Sequence, residues 1–300
     1  MPGNQIDVGI STDIVPAGNF LSKADVEQMM KTGACSRFGL TTIVRWRWAM
    51  TETSVVIITG ANNGIGFHMA RTLAAQGYRV AGFDLAGDNL ATLDPEHVAY
   101  LPCDVTDGAA VRQAVADVLA RWGQIDILVN NACLALFRPF VERNPDEIRG
   151  EFEVNYFGYL NLIAAVLPHM RARGRGIIHN VSSGVGFTGF PGMSGYTSTK
   201  GAIEGLTRTL ALELAGTGVT VNVMHPPLTR TKSASPMGVP VEAMADPAVV
   251  GERLARRIRS TRPFVAPDFP TLAGVVMSRW FPVALGKFIA GLAARSRSTK

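Results

Sequence analysis

The chain has 300 residues, 47% hydrophobic and 18% charged, enough apolar content for one large α/β domain with appendages. Its three cysteines, Cys35, Cys103 and Cys133, are odd in number and widely spaced, so a disulfide framework and a metal site are both excluded and a reducing, cytoplasmic setting is expected. The net charge of +5 is concentrated at one end: residues 251–300 carry +8 without any element that reads nucleic acid, which excludes nucleic-acid binding.

Residues 1–50 have no sustained period and are expected to be a disordered extension. They contain no secretory signal, because their first 30 positions lack an apolar stretch and include Asp7, Asp13, Asp25 and Glu27. Met50 is an alternative start, since a strand follows almost at once. From there the chain alternates. Strands are expected at Val55–Thr59, Tyr78–Phe83, His97–Leu101, Ile125–Asn130, Gly176–Val181 and Val219–Met224, with helices at Gly64–Gln76, Ala109–Trp122 and Asp146–Met170. Near-continuous apolar strands separated by helices predict a Rossmann-like, doubly wound parallel sheet, whose ligands bind outside the carboxyl ends of the strands. The catalytic domain is placed at residues 51–267, with a proline-rich substrate flap at 226–247 and a basic, apolar tail at 268–300.

The string Thr59-Gly-Ala-Asn-Asn-Gly-Ile-Gly66 follows the first strand and opens the first helix, where glycines permit a tight turn and close approach to a pyrophosphate. Asp84 closes the second strand, positioned to accept hydrogen bonds from the adenosine ribose hydroxyls. Leu85 follows it where a basic residue would be needed to hold a 2′-phosphate. NAD(H) is therefore expected in preference to NADP(H).

Tyr196 and Lys200 share a helix face in Gly195-Tyr-Thr-Ser-Thr-Lys200, and a cation beside a phenol is expected to lower its pKa. Taken with the glycine string, Asn130-Asn-Ala132, Asn155 in Glu153-Val-Asn-Tyr-Phe157 and Ser183 in Asn180-Val-Ser-Ser183, this pair resembles the short-chain dehydrogenase/reductase family in its single-domain form. The resemblance covers roughly residues 54–232. It implies that Tyr196 is the general acid/base, that Lys200 tunes it and holds the nicotinamide ribose, that Ser183 orients the substrate oxygen, and that Asn155 holds a water linking Lys200 to solvent. Ser182 is the rival for Ser183. Cofactor contacts are implied for Gly60, Asn62, Gly64, Ile65, Gly66, Asp84, Asp104, Val105, Asn131, Ala132, Pro226, Thr229 and Thr231, and a homodimer or homotetramer is implied as the assembly.

Two positions depart from the family pattern: Cys133 and Pro227 each replace a glycine near the expected nicotinamide path. Leu134, Phe137, Phe187, Phe190, Met193 and Met237 favour an apolar alcohol or ketone as substrate, or else fill the core. His225 is expected to be a packing residue. Leu272, Val275, Val276, Trp280, Phe281, Leu285, Phe288, Ile289 and Leu292 recur near helical spacing, kinked at Pro282. They suit a peripheral membrane contact through residues 271–293, a dimer partner or the domain's own pocket. The function expected is hydride transfer between nicotinamide and an apolar secondary alcohol or ketone, of steroid, retinoid or acyl character. A catalytically silent NAD-binding regulator is the alternative. A sugar-nucleotide epimerase is disfavoured by the Gly-Ile-Gly66 form of the loop.

Overall fold

Five β-rich apolar residues form β1 (Val55–Thr59), buried at every position. It pairs in parallel with β2 (Arg79–Asp84) on one side and β4 (Ile127–Asn130) on the other. β3 (Val98–Pro102), β5 (Gly176–Val181), β6 (Val219–Met224) and β7 (Phe264–Val265) complete a seven-stranded parallel sheet in the order 3-2-1-4-5-6-7. The computed structural model describes residues 53–298 apart from 235–238 and 240, with side chains described up to residue 291. The expected extension at 1–50, Met237 and the Leu292 side chain therefore lie outside what is described.

The sheet's two faces are covered by different helices. Val55 and Ile57 point to one face, where α2 (Gly108–Trp122), α4 (Gly158–Ala172) and α5 (Ser194–Glu213) pack through residues such as Val115, Leu162, Val166 and Leu210. Val56 and Ile58 point to the other, against Met69 and Leu73 of α1 (Gly64–Ala75) and Leu254 of α6 (Pro247–Ala255). The two-residue period of β1 thus places alternate side chains in two separate cores. Strand order reverses between β1 and β4, so their connections diverge to opposite faces and leave a crevice at their carboxyl ends.

The helix expected over 146–170 is interrupted. α3 (Pro145–Phe152) and α4 are separated by a widened π-helical turn at Glu153–Phe157, with Asn155 buried inside it. Such turns commonly mark functional positions. In the described part of 226–247, Thr229 bridges to Ala245, and a short helical turn forms at Val241–Ala243.

The tail folds as α7 (Phe269–Trp280) and α8 (Pro282–Ser298), bent by 117°. Proline at the first position of a helix tolerates its missing N–H, which explains why α8 restarts at Pro282. Thr53–Lys300 form one compact unit.

Candidate active site

The carboxyl ends of the strands open onto a cavity of about 880 Å³, reached by Gly60 after β1, Asp84 at the end of β2, Asn131 after β4, Val181 of β5 and Pro226 after β6. One half is a backbone cradle. Gly60 and Gly64 have φ of +62° and +55°, and a Cβ on Gly60 would lie 2.9 Å from Ala132 Cα. Only glycine meets both requirements cheaply. Asn63 precedes α1 without capping it through its side chain, and the first turn of the helix has no acidic residue, so its N–H groups remain open to an anion. The cradle is tied to the sheet by Asn131, whose side-chain amide donates to the carbonyls of Thr59 (2.9 Å) and Gly60 (3.1 Å). Thr59 Oγ1 in turn accepts from the N–H groups of Asn131 and Ala132 at 2.9 and 3.0 Å. Thr59 looked like an ordinary strand end in the sequence; its hydroxyl holds the loop together.

Most of the expected cofactor residues line this cavity: Gly60, Gly64, Ile65, Asp84, Asp104, Val105, Asn131, Ala132, Pro226, Thr229 and Thr231. Asn62 and Gly66 stand behind the wall. The buried side chain of Asn62 accepts from the N–H groups of Asn89 and Leu90 and donates to Asp88 at 2.7 Å, bracing the segment after β2. Gly66 admits the backbone of Gly60, whose carbonyl oxygen would lie 2.3 Å from a Cβ there. Asn63, His68 and Lys232 also line the cavity and carried no distinct sequence signal. Asp84 accepts from the N–H groups of Asn62 (2.9 Å) and Leu85 (2.8 Å), with its carboxylate at the cavity wall. A glycine cradle, an open helix N-terminus and an acid at the second strand end fit a dinucleotide.

The other half carries proton chemistry. Tyr196, in the first turn of α5, has the Ser183 hydroxyl close enough to favour its phenolate, and both residues line the cavity with Lys200. The Lys200 ammonium donates to the Val181 carbonyl at 2.8 Å and the Tyr159 hydroxyl at 3.3 Å, and lies 5.5 Å from the Tyr196 ring centroid. Tyr159, four residues beyond Asn155, is a partner that the sequence reading missed. Ser182 also borders the cavity, nearly fully buried, with its hydroxyl donating to the Lys200 carbonyl at 3.4 Å.

Asn155 is not in the cavity wall. Its side chain accepts from Leu134 N–H at 2.7 Å and donates to the Leu134 carbonyl at 2.8 Å and to Thr199 Oγ1 at 3.1 Å, which anchors the chain after β4 to α5. Nearby, Glu151 and Arg143 form a fully buried ion pair at 2.7 Å, and Glu151 also accepts from Leu136 N–H. Neither residue was singled out from the sequence, since isolated charges on a short helix give no sign of burial.

Electrostatics correct one expectation. Burial pushes the Tyr196 phenol above the ordinary tyrosine range, Cys133 and Glu151 push the same way, and the Ser183 hydrogen bond opposes them. Burial also pulls the Lys200 ammonium below its usual value. The net effect on Tyr196 is upward, not the lowering expected from a neighbouring cation, because removal of water outweighs a cation already engaged by Val181 and Tyr159. At neutral pH Tyr196 holds its proton and can donate it to a carbonyl oxygen.

The apolar residues divide as well. Phe137, Phe190 and Met193 line the cavity, with Val185, Val275, Leu285 and Ile289. Leu134 and Phe187 do not. His225 is buried, tilted between the rings of Phe187 and Phe264 and 3.0 Å from the equally buried Glu204, so it packs as expected but beside an acid. Cys133 and Pro227 both sit in the cavity wall, and Thr229 Oγ1 donates to the Pro227 carbonyl at 2.7 Å, bracing that loop.

Comparison with known proteins agrees with this geometry. The sequence profile of the family described as short chain dehydrogenase matches residues 54–239. A 3-ketodihydrosphingosine reductase from Bacteroides thetaiotaomicron is 34% identical over 176 residues, which is 58% of this chain and 64% of that protein, so the match spans less than two thirds of the relative. The crystal structure of a short-chain dehydrogenase from Streptomyces avermitilis superposes with a TM-score of 0.68 at 31% identity, covering 83% of this chain and 99% of the other. That of 3-ketoacyl-(acyl-carrier-protein) reductase from Brucella melitensis complexed with NADH gives 0.64 at 26% identity, covering 72% and 96%. With its parallel sheet, glycine cradle and Ser183, Tyr196 and Lys200 around one cavity, the chain belongs to the short-chain dehydrogenase/reductase family of NAD(P)-dependent oxidoreductases.

Proposed function

We propose that the protein is an NAD-dependent oxidoreductase that interconverts an apolar secondary alcohol and its ketone. The observation that carries this reading is the meeting of a dinucleotide cradle with the Ser183, Tyr196 and Lys200 side chains in one cavity. Nicotinamide, when bound, supplies or accepts the hydride. Gly60, Gly64 and Ile65 would hold the pyrophosphate, Asp84 the adenosine ribose, and Lys200 the nicotinamide ribose.

Ser183 donates a hydrogen bond that orients the substrate oxygen. In reduction, the Tyr196 hydroxyl delivers its proton to that oxygen; in oxidation, Tyr196 takes the proton back. The Lys200 ammonium, fixed by Val181, stabilises the phenolate left after delivery. Burial keeps bulk water from competing with these transfers.

Two features support the finer choices. Asp84 would face a 2′-phosphate with a like charge, and Leu85 offers no cation to offset it, which favours NAD over NADP. The cavity lining includes the apolar side chains Phe137, Phe190, Met193, Val275, Leu285 and Ile289, which favour an apolar substrate. The relative named 3-ketodihydrosphingosine reductase supports a ketone as the substrate class. The test is a panel of apolar ketones and charged keto acids assayed by nicotinamide absorbance with both cofactors. Higher kcat/KM for apolar ketones with NADH is expected. Preference for a charged keto acid, or for NADPH, would overturn the corresponding part of the assignment.

A further inference from the structure

The tail helices have two apolar faces, and only one is covered. On α7, Thr271, Gly274, Val275 and Ser278 turn inward and line the cavity; on α8, Leu285 and Ile289 do the same. This stripe packs closely, since a Cβ on Gly286 would lie 2.5 Å from the Thr188 carbonyl oxygen. A surface helix with such an inner stripe ordinarily turns polar residues to water. Here the outer face carries Phe269, Met277, Trp280, Phe281, Val283 and Phe288 instead. Trp280 is 76% and Phe288 62% exposed. Among the described residues, seven of the sixteen large hydrophobic side chains that are exposed fall within residues 269–288. Scattered exposed apolar residues need no explanation, but a concentration of this kind marks a contact surface.

Charge decides between occupants. Residues 269–300 contain no acid and five cations: Arg279, whose guanidinium lies over the Phe187 and Phe264 rings, and Lys287, Arg295, Arg297 and Lys300. A second copy meeting this face about a twofold axis would bring the same cations together with no carboxylate from residues 269–300 to offset them, since Asp268 is already paired with Arg253. An anionic surface satisfies them. Among the described residues no single helix is long and apolar enough to cross a membrane; α7 and α8 pass on length and composition only as a pair, bent by 117°. A bent pair with an aromatic outer face and flanking cations suits the interfacial plane of a bilayer.

We propose that the α7–α8 hairpin seats the protein on an anionic lipid surface, with Trp280, Phe281 and Phe288 entering the acyl boundary and the tail cations meeting lipid headgroups. Because the inner stripe of the same hairpin lines the cavity, an apolar substrate dissolved in the bilayer reaches the site beside the hairpin without crossing bulk water. The delivery step rests on the oxidoreductase assignment; the docking does not.

Vesicle flotation of the full chain, without substrate or cofactor, tests the docking. Phosphatidylcholine vesicles are compared with vesicles in which about one third of the lipid is phosphatidylserine. Recovery on the anionic vesicles should exceed that on the neutral ones by about tenfold and fall as salt rises. Trp280→Ser/Phe281→Ser/Phe288→Ser should abolish recovery, and Lys287→Glu should lower it severalfold while leaving the fold intact by circular dichroism. No recovery on either vesicle, equal recovery on both, or wild-type recovery by the triple variant with its fold intact would overturn the proposal. Loss of a dimer by light scattering in the triple variant, with no vesicle recovery by the wild type, would assign the face to a second copy. A protein that floats but turns over no ketone would retain the docking and lose the oxidoreductase reading.

Discussion

Lys200 Nζ donates to the carbonyl oxygen of Val181 at 2.8 Å, fastening the helix that carries Tyr196 to the carboxyl end of β5. The ammonium is buried, and its other partner is the Tyr159 hydroxyl. Methionine at this position keeps the length and loses the charge. Lys200→Met is expected to lower kcat by about a hundredfold or more, since the phenolate would form with no cation beside it. Lys200→Arg is expected to rescue poorly, because a planar guanidinium does not fit a site built for a single donor point. Steady-state kinetics with NADH and a saturating ketone measure both.

The two adjacent serines have separable effects. Ser183→Ala removes the hydroxyl proposed to orient the substrate oxygen beside Tyr196 and is expected to cost about tenfold to a thousandfold in kcat. Ser182→Ala loses one long hydrogen bond to the Lys200 carbonyl and is expected to cost about 1 kcal/mol of stability or less, with kcat nearly unchanged. The pair is assayed together by turnover and thermal melting. The reverse ordering would move the substrate-orienting role to Ser182.

Asn155 acts on structure before chemistry. Asn155→Ala would leave the Leu134 N–H and carbonyl without their partners, at about 1–3 kcal/mol per orphaned group. Tm is expected to fall by about 4 °C or more, as monitored by circular dichroism, with kcat falling as well because the chain after β4 would no longer be fixed. A variant with wild-type Tm would show that these hydrogen bonds contribute nothing net.

The raised pKa of Tyr196 sets the direction of the pH dependence. Its neutral form, the proton donor, prevails at and below neutral pH, so ketone reduction should hold its rate from mildly acidic to neutral pH. Oxidation needs the phenolate to receive the substrate's proton and should climb as pH rises into the alkaline range. The two directions are compared across pH with each substrate saturating. An oxidation rate that falls as pH rises from neutral would contradict this assignment.

The sheet was legible because its strands are buried on both faces. Such strands read as unbroken apolar runs, so β1, β5 and β6 occur at the bounds the sequence predicts, β2, β3 and β4 shift by one or two residues, and the two-residue β7 is not among the expected strands. The cofactor wall was legible through the order of glycines, Asp84 and Asn131 along the chain. The break at Glu153–Phe157 was not, because one extra residue in a turn leaves the apolar period almost unchanged. Nor were the hydrogen bonds that the Asn155 side chain makes to Leu134 from within that turn. Asn62 was misleading for a related reason: its position in the glycine string gives the spacing of a ligand contact, whereas its burial against Asn89 and Leu90 appears only in three dimensions. The direction of the Tyr196 shift also needed the fold, since spacing shows the cation and hides the loss of water.

The central claim is that Tyr196 moves the proton. Single-turnover reduction of an apolar ketone by enzyme preloaded with NADH, followed by nicotinamide absorbance, isolates that step for the wild type and Tyr196→Phe. Phenylalanine preserves the ring and removes only the hydroxyl, so NADH binding should be retained while the reduction rate falls by about a hundredfold to ten-thousandfold. Equal rates in the two proteins would contradict the account.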